Sequence, residues 1–170
     1  MNAASYANSP TVKIHLRDFP VPLAARARQV SEDVLREFAL ITADVVDSAE
    51  PRADHDVPMR LLDLVVTLTQ ELHELIDVSA RRLEEAIAGG SEVIEDHVVE
   101  LPIEAATATR AVADTWDEAD QYLWSRDRLA QLATPVEIAA YRRWFFAQVL
   151  DQLDGRGPVP WPQSAAARGL

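Results

Sequence analysis

The sequence predicts a mainly all-α fold, an antiparallel four-helix bundle with two short extended segments able to pair. Three observations predict it. Apolar residues recur at steps of three and four over four separate stretches, the breaks hold proline, glycine or polar runs, and period-2 alternation is confined to two short segments. A single helical-bundle domain is expected over residues 12–155, after a flexible N-terminus at 1–11 and before a proline-containing C-terminal tail at 156–170.

Residues 12–17 alternate, with Val12, Ile14 and Leu16 against Lys13, His15 and Arg17, as in a half-buried strand. Pro20 and Pro22 close it. From Leu23 the period changes: Leu23, Ala27, Val30, Val34, Phe38, Ile41 and Val45 form one stripe, which predicts a first helix over 23–46. Pro51 and scattered charge mark a polar loop. Pro58 suits a first helical turn, where an absent N–H leaves nothing unpaired. Leu61, Val65, Leu68, Leu72, Leu75, Ser79, Leu83 and Ala86 then keep a 4,3 spacing, so the second and longest helix is expected over 58–88, with Leu68 and Leu72 in the core.

Gly89-Gly90 stops that helix, glycine being the residue that tolerates a left-handed C-terminal turn. His97 to Ile103 alternates again and is the second extended segment; a lone two-stranded ribbon is marginal in water, so it should lie against the helices. The third helix is expected over 103–132, with Ala105, Ala108, Val112, Trp116, Ala119 and Leu123 on its stripe. Thr134-Pro135-Val136-Glu137 combines a threonine cap, a first-turn proline and a glutamate able to bond back to the cap amide. The fourth helix follows over 135–153, with Ile138, Tyr141, Phe145, Val149 and Gln152 or Leu153 on its stripe and Gly155 after its end. Beyond it, Trp161 among Pro158, Pro160 and Pro162 is an aromatic residue able to anchor an otherwise extended tail.

Composition limits the chemistry. With 28 acidic and 16 basic side chains the formal net charge is −12, which repels nucleic-acid phosphates and anionic membranes alike. The absence of cysteine excludes disulfides, a thiol nucleophile, zinc–thiolate sites and iron–sulfur clusters. Met1 to Pro10 lacks the basic flank and apolar run of a signal peptide. The most apolar stretch, Leu61 to Leu68, is broken by Asp63 and falls far short of the roughly 20 residues of a membrane span. A cytoplasmic location is expected.

Catalytic templates find little footing. His73-Glu74-Leu75-Ile76-Asp77 lies one residue away from the His-Glu-x-x-His of zinc hydrolases, with aspartate last, and the apolar stripe puts His73 and Asp77 at its edge or on the solvent side. No metal is expected there. The Glu-x-x-His pairs of a di-iron bundle are missing, because Val12, Arg52, Gln70 and Ile94 stand three residues before the four histidines. His15 and His97 lie in the two extended segments and read as strand-edge polar residues. Gly155-Arg156-Gly157 precedes proline, which rules out a phosphate-binding loop. Asp114, Asp117, Glu118 and Asp120 read as a solvated face of the third helix, facing Arg110 or the arginines of the fourth.

Aromatics say more, since seven of the eleven (Trp116, Tyr122, Trp124, Tyr141, Trp144, Phe145 and Phe146) fall in the last two helices. One helix cannot turn 141, 144, 145 and 146 to a single side. Some must pack beneath another element, the strands or Trp161, or meet something outside the bundle. Arginine with tryptophan on a surface is the composition of interface anchors, so Trp124, Arg142, Arg143 and Trp144 form the candidate interaction surface.

The strings Val34-Leu35-Arg36-Glu37-Phe38-Ala39-Leu40-Ile41, Asp117-Glu118-Ala119-Asp120-Gln121-Tyr122-Leu123 and Tyr141-Arg142-Arg143-Trp144-Phe145, with Trp161-Pro162, resemble a group of small, uncharacterised actinobacterial helical proteins. The likeness spans Val12 to Pro162. Members are often encoded near anti-sigma-factor kinases and their antagonists, the components of partner switching, and the resemblance implies a regulatory binding protein with no catalytic residues to carry over. The expectation is therefore a non-enzymatic regulatory module without cofactor that binds another protein or self-associates, including as a homodimer built on the second helix. The alternative is a small-molecule sensor or enzyme with a pocket between helices.

Overall fold

The computed structural model describes residues 10–47, 81–124 and 134–163. In chain order they form β1 (Thr11–Pro20), α1 (Val21–Asp47), α2 (81–88), β2 (Val93–Pro102), α3 (Ala105–Trp124), α4 (Val136–Leu153) and a 3-10 turn at Trp161–Gln163. The stretch 58–80 of the expected second helix, with Leu68, Leu72, His73 and Asp77, lies outside the described residues.

The four-helix bundle is overturned: this is a mixed α/β fold in which a two-stranded antiparallel sheet shares the core with the helices. The strands are ten residues each and keep one register from Thr11↔Pro102 to Pro20↔Val93, with the pairing interrupted only at Asp18. Ile14, Leu16, Phe19, Val99 and Leu101 are buried in one cluster with Val21, Ala24 and Ala27 of α1 and Ile138, Tyr141, Trp144 and Val149 of α4. Alternation underestimated both strands, for two reasons. At Asp18 the backbone takes φ 50°, a left-handed conformation that aspartate tolerates better than most residues. The twist breaks side-chain parity, so burial passes from Leu16 to Phe19 instead of Asp18 while the register holds. In β2 the first residues, Val93 to Asp96, are exposed or half-buried and carry no apolar alternation.

Between the strands, α2 ends where glycine allows it to. Gly90 takes φ 67°, and the Ser91 amide closes the end on the Ala86 carbonyl at 2.9 Å. Val21, the first residue of α1, donates its amide to the Glu92 carbonyl at 2.9 Å, which ties the start of α1 to the start of β2.

The start of α4 also differs from expectation. Pro135, not Thr134, is the cap residue, no side chain of the described residues caps the helix, and the Pro135 carbonyl accepts from Ile138 and Ala139. The Thr134 hydroxyl is drawn instead to the Asp120 carboxylate at 2.6 Å, and Glu137 pairs with Arg26 of α1. Both groups of the expected capping box thus find ionic partners on other elements. Among the described residues no helix is long and apolar enough to cross a membrane.

Candidate functional site

Helix α4 is in contact with β1, α1 and α3, and its buried residues run round its circumference: Ile138, Tyr141, Trp144 and Gln148 among them, but also Arg142 and Phe146. Tyr141, Trp144, Gln148 and Gln152 recur at three and four residues and so share one side of the helix, the side toward the sheet and the tail.

On that side the polar atoms read main chain. The Gln152 carboxamide meets both groups of His15 on the outer edge of β1, its Oε1 accepting from the amide at 2.8 Å and its Nε2 donating to the carbonyl at 3.0 Å. One turn earlier, Gln148 Oε1 accepts from the Val159 amide at 2.7 Å while Trp144 Nε1 donates to the Val159 carbonyl at 2.9 Å. Trp161 then sets its ring edge-on against Trp144 at 5.6 Å and Tyr141 at 6.1 Å. Phe19 faces the same two rings from the sheet and lies 4.6 Å from the His97 ring. Burial pushes the Tyr141 hydroxyl well above its ordinary value. Burial, aided by the Arg82 charge and opposed by Asp96, lowers His97 to about 4.

The opposite side, toward α3, is ionic. Arg142 pairs with Asp120, whose second oxygen accepts from Thr134, and the guanidinium lies over the Trp116 ring at 4.4 Å. The pair is almost enclosed, with 9% and 16% of the two side chains exposed. One guanidinium nitrogen, Nη1, is buried with no hydrogen-bond partner among the described residues.

The candidate interaction surface therefore does not stand together. Trp144, at 2% exposure, and Arg142, at 8%, are taken up inside the chain on different sides of α4. The reason is that α4 has neighbours on several sides, so aromatics on more than one face all find cover within the chain. Arg143 is exposed and donates to the Ala139 carbonyl of its own helix. Trp124 closes α3, and its side chain lies outside the described residues. On α3, Asp114 and Asp117 are exposed as a solvated face would be, whereas Asp120 is turned inward to Arg142.

His15 and His97 do not face each other. Register pairs His97 with Leu16 on the core side, while His15 stands on the outer face with its Nδ1 at 2.9 Å from Asp96. Among the described residues no group of three or more histidine, aspartate or glutamate side chains is placed to hold a metal ion. Gln148 and Gln152 went unnoticed as functional residues because glutamine belongs to no catalytic template; their signal is two amides interrupting the apolar stripe at i+4 and i+8 from Trp144. The chain matches no protein-family model, and comparison with curated proteins and with solved structures finds no relative.

Proposed function

We propose that the protein is a non-enzymatic regulatory module that binds another protein, with anti-sigma partner switching as the setting its resemblance implies. The observation that supports this reading is the peptide-reading chemistry of α4: its side chains engage both main-chain groups of an extended residue at His15 and again at Val159. Side chains that satisfy a foreign-looking backbone in this way use the hydrogen-bonding logic by which proteins take up extended segments. Calorimetric titration of the full chain against an anti-sigma-factor kinase and its antagonist from the same genome tests it. Saturable heat with either supports the reading, and silence with both overturns it.

A second reading, a small-molecule sensor or enzyme with a pocket between helices, is favoured by the buried Nη1 of Arg142 between α3 and α4, which has no partner among the described residues. An acceptor oxygen of a ligand would relieve that donor. A thermal-stability screen with metals, nucleotides and small acids discriminates, since a ligand at a hundred times its Kd adds about 2.7 kcal/mol.

A further inference from the structure

The side of α4 that carries Tyr141, Trp144 and Gln148 already holds a peptide. Its occupant is the chain's own Gly157-Pro158-Val159-Pro160-Trp161-Pro162, gripped at two points: the main chain of Val159 and the ring of Trp161. We infer that this side of α4 is a recognition groove for a proline-flanked aromatic segment of a partner protein, one that turns at its aromatic residue as residues 157–162, the resident competitor, do at Trp161. The inference deepens the protein-binding reading and rests on it.

Three features define the chemistry. Prolines on both sides of Val159 fix φ and have no N–H of their own to satisfy, so such a segment gives up little freedom when it docks. Gln148 and Trp144 read the N–H and the C=O of the one non-proline residue between them, which is sequence-tolerant recognition. Trp161, edge-on to two aromatic rings, supplies the side-chain selectivity, and the combination of an aromatic-lined groove with a proline-rich strand is a recurring mode of peptide capture.

The hold is local. Residues 154–159 are exposed, Val159 itself at 38%, and Trp161 is only half-buried. The connection from α4 runs through Gly155, at φ 83°, and Gly157, where an added Cβ would meet nothing within 4 Å. Release of the segment thus breaks two hydrogen bonds, one ring cluster and the contact of the 3-10 turn with β1, and leaves the pairing of the strands and the packing of α1 and α3 on α4 in place. A tethered ligand works at an effective concentration on the order of millimolar, so a partner segment binds weakly until the tail lets go.

A fluorescein-labelled peptide with the sequence of residues 156–163, followed by anisotropy, tests this on three full-length chains: wild type, Trp161→Ala and Val159→Pro. Each variant weakens the resident tail and leaves the groove side chains unchanged. The peptide should bind both variants about tenfold or more tighter than wild type, and a peptide with alanine in place of its tryptophan should bind none of them. Equal affinity for all three chains, or no binding to a variant that still melts cooperatively, overturns the inference. Calorimetric heat with the kinase or antagonist while the peptide is silent removes the groove and keeps protein binding; silence in both removes both.

Discussion

The two sides of α4 are both closed from solvent, yet one is built from neutral amides and rings and the other around a charge. On the sheet side, Gln152, Gln148 and the Trp144 indole each pair with main chain. On the α3 side, Arg142 and Asp120 neutralise each other, Thr134 takes the second carboxylate oxygen, and one guanidinium nitrogen is left over. The difference is one of tolerance. A neutral hydrogen bond contributes about 1 kcal/mol net, and its loss strands a dipole. A buried ion that loses its partner strands a full charge, so the α3 side depends on each of its polar groups more heavily than the sheet side does on each of its amides.

The largest effect is expected where the sheet side is ring rather than amide. Trp144→Ala should cost about 3–5 kcal/mol in denaturant-unfolding free energy, since it empties the centre of the aromatic cluster and frees the Val159 carbonyl. Asp120→Ala comes next, at about 3–5 kcal/mol, because it leaves Arg142 buried without its counter-ion. The double change Asp120→Leu with Arg142→Met should recover most of that loss, as apolar replacement of a buried pair usually does. A double variant no more stable than Asp120→Ala would show that the cost lies in packing and not in charge.

Acid probes the sheet side through His97. His97 titrates at about 4 in the folded chain against 6.5 when exposed. Above 6.5 both states are neutral and nothing is lost. As the pH falls toward 4 the unfolded chain takes up the proton first, so stability drops across that window by about 3 kcal/mol, at roughly 1.36 kcal/mol per unit. Urea midpoints at pH 7.5, 5.5 and 4 should follow this slope in wild type and flatten in His97→Leu.

Smaller again is Gln152→Leu, which leaves both main-chain groups of His15 without their partner. A loss of about 1–3 kcal/mol is expected, with faster amide exchange at His15 as the local signature. At the small end, Arg143→Ala should change stability by less than about 0.5 kcal/mol, because its side chain is exposed and bonds only its own helix. A larger loss would place Arg143 with the buried residues and blur the contrast between the sides.

Much of the candidate site was hidden from pattern reading for one reason: periodicity sees a single helix, not its neighbours. Tyr141, Val149 and Ile138 were visible as an apolar stripe, and Gln152 stood at the stripe's end. That Trp144, Phe146 and Arg142 are equally buried depends on β1, α1 and α3 closing in around α4, and no spacing within α4 encodes that. Gln148 is legible only once Val159 is known to pass beside it, eleven residues later in the chain.

What the sequence determined by itself is local. The 3.6-residue period located the helices now seen at Val21–Asp47, Ala105–Trp124 and Val136–Leu153, Gly89-Gly90 marked the end of α2, and alternation found the middle of β1 and the second half of β2. These follow from backbone sterics and from the need to bury one stripe, both of which act over a few residues. Tertiary structure decided the rest. It extended the sheet through the parity break at Asp18, took Thr134 and Glu137 from the helix cap for Asp120 and Arg26, and buried His97 against Phe19. In each case a contact with a residue distant in sequence outweighs a local preference. A capping hydrogen bond is worth about 1 kcal/mol, whereas an unpaired buried charge or an exposed aromatic core costs several times as much.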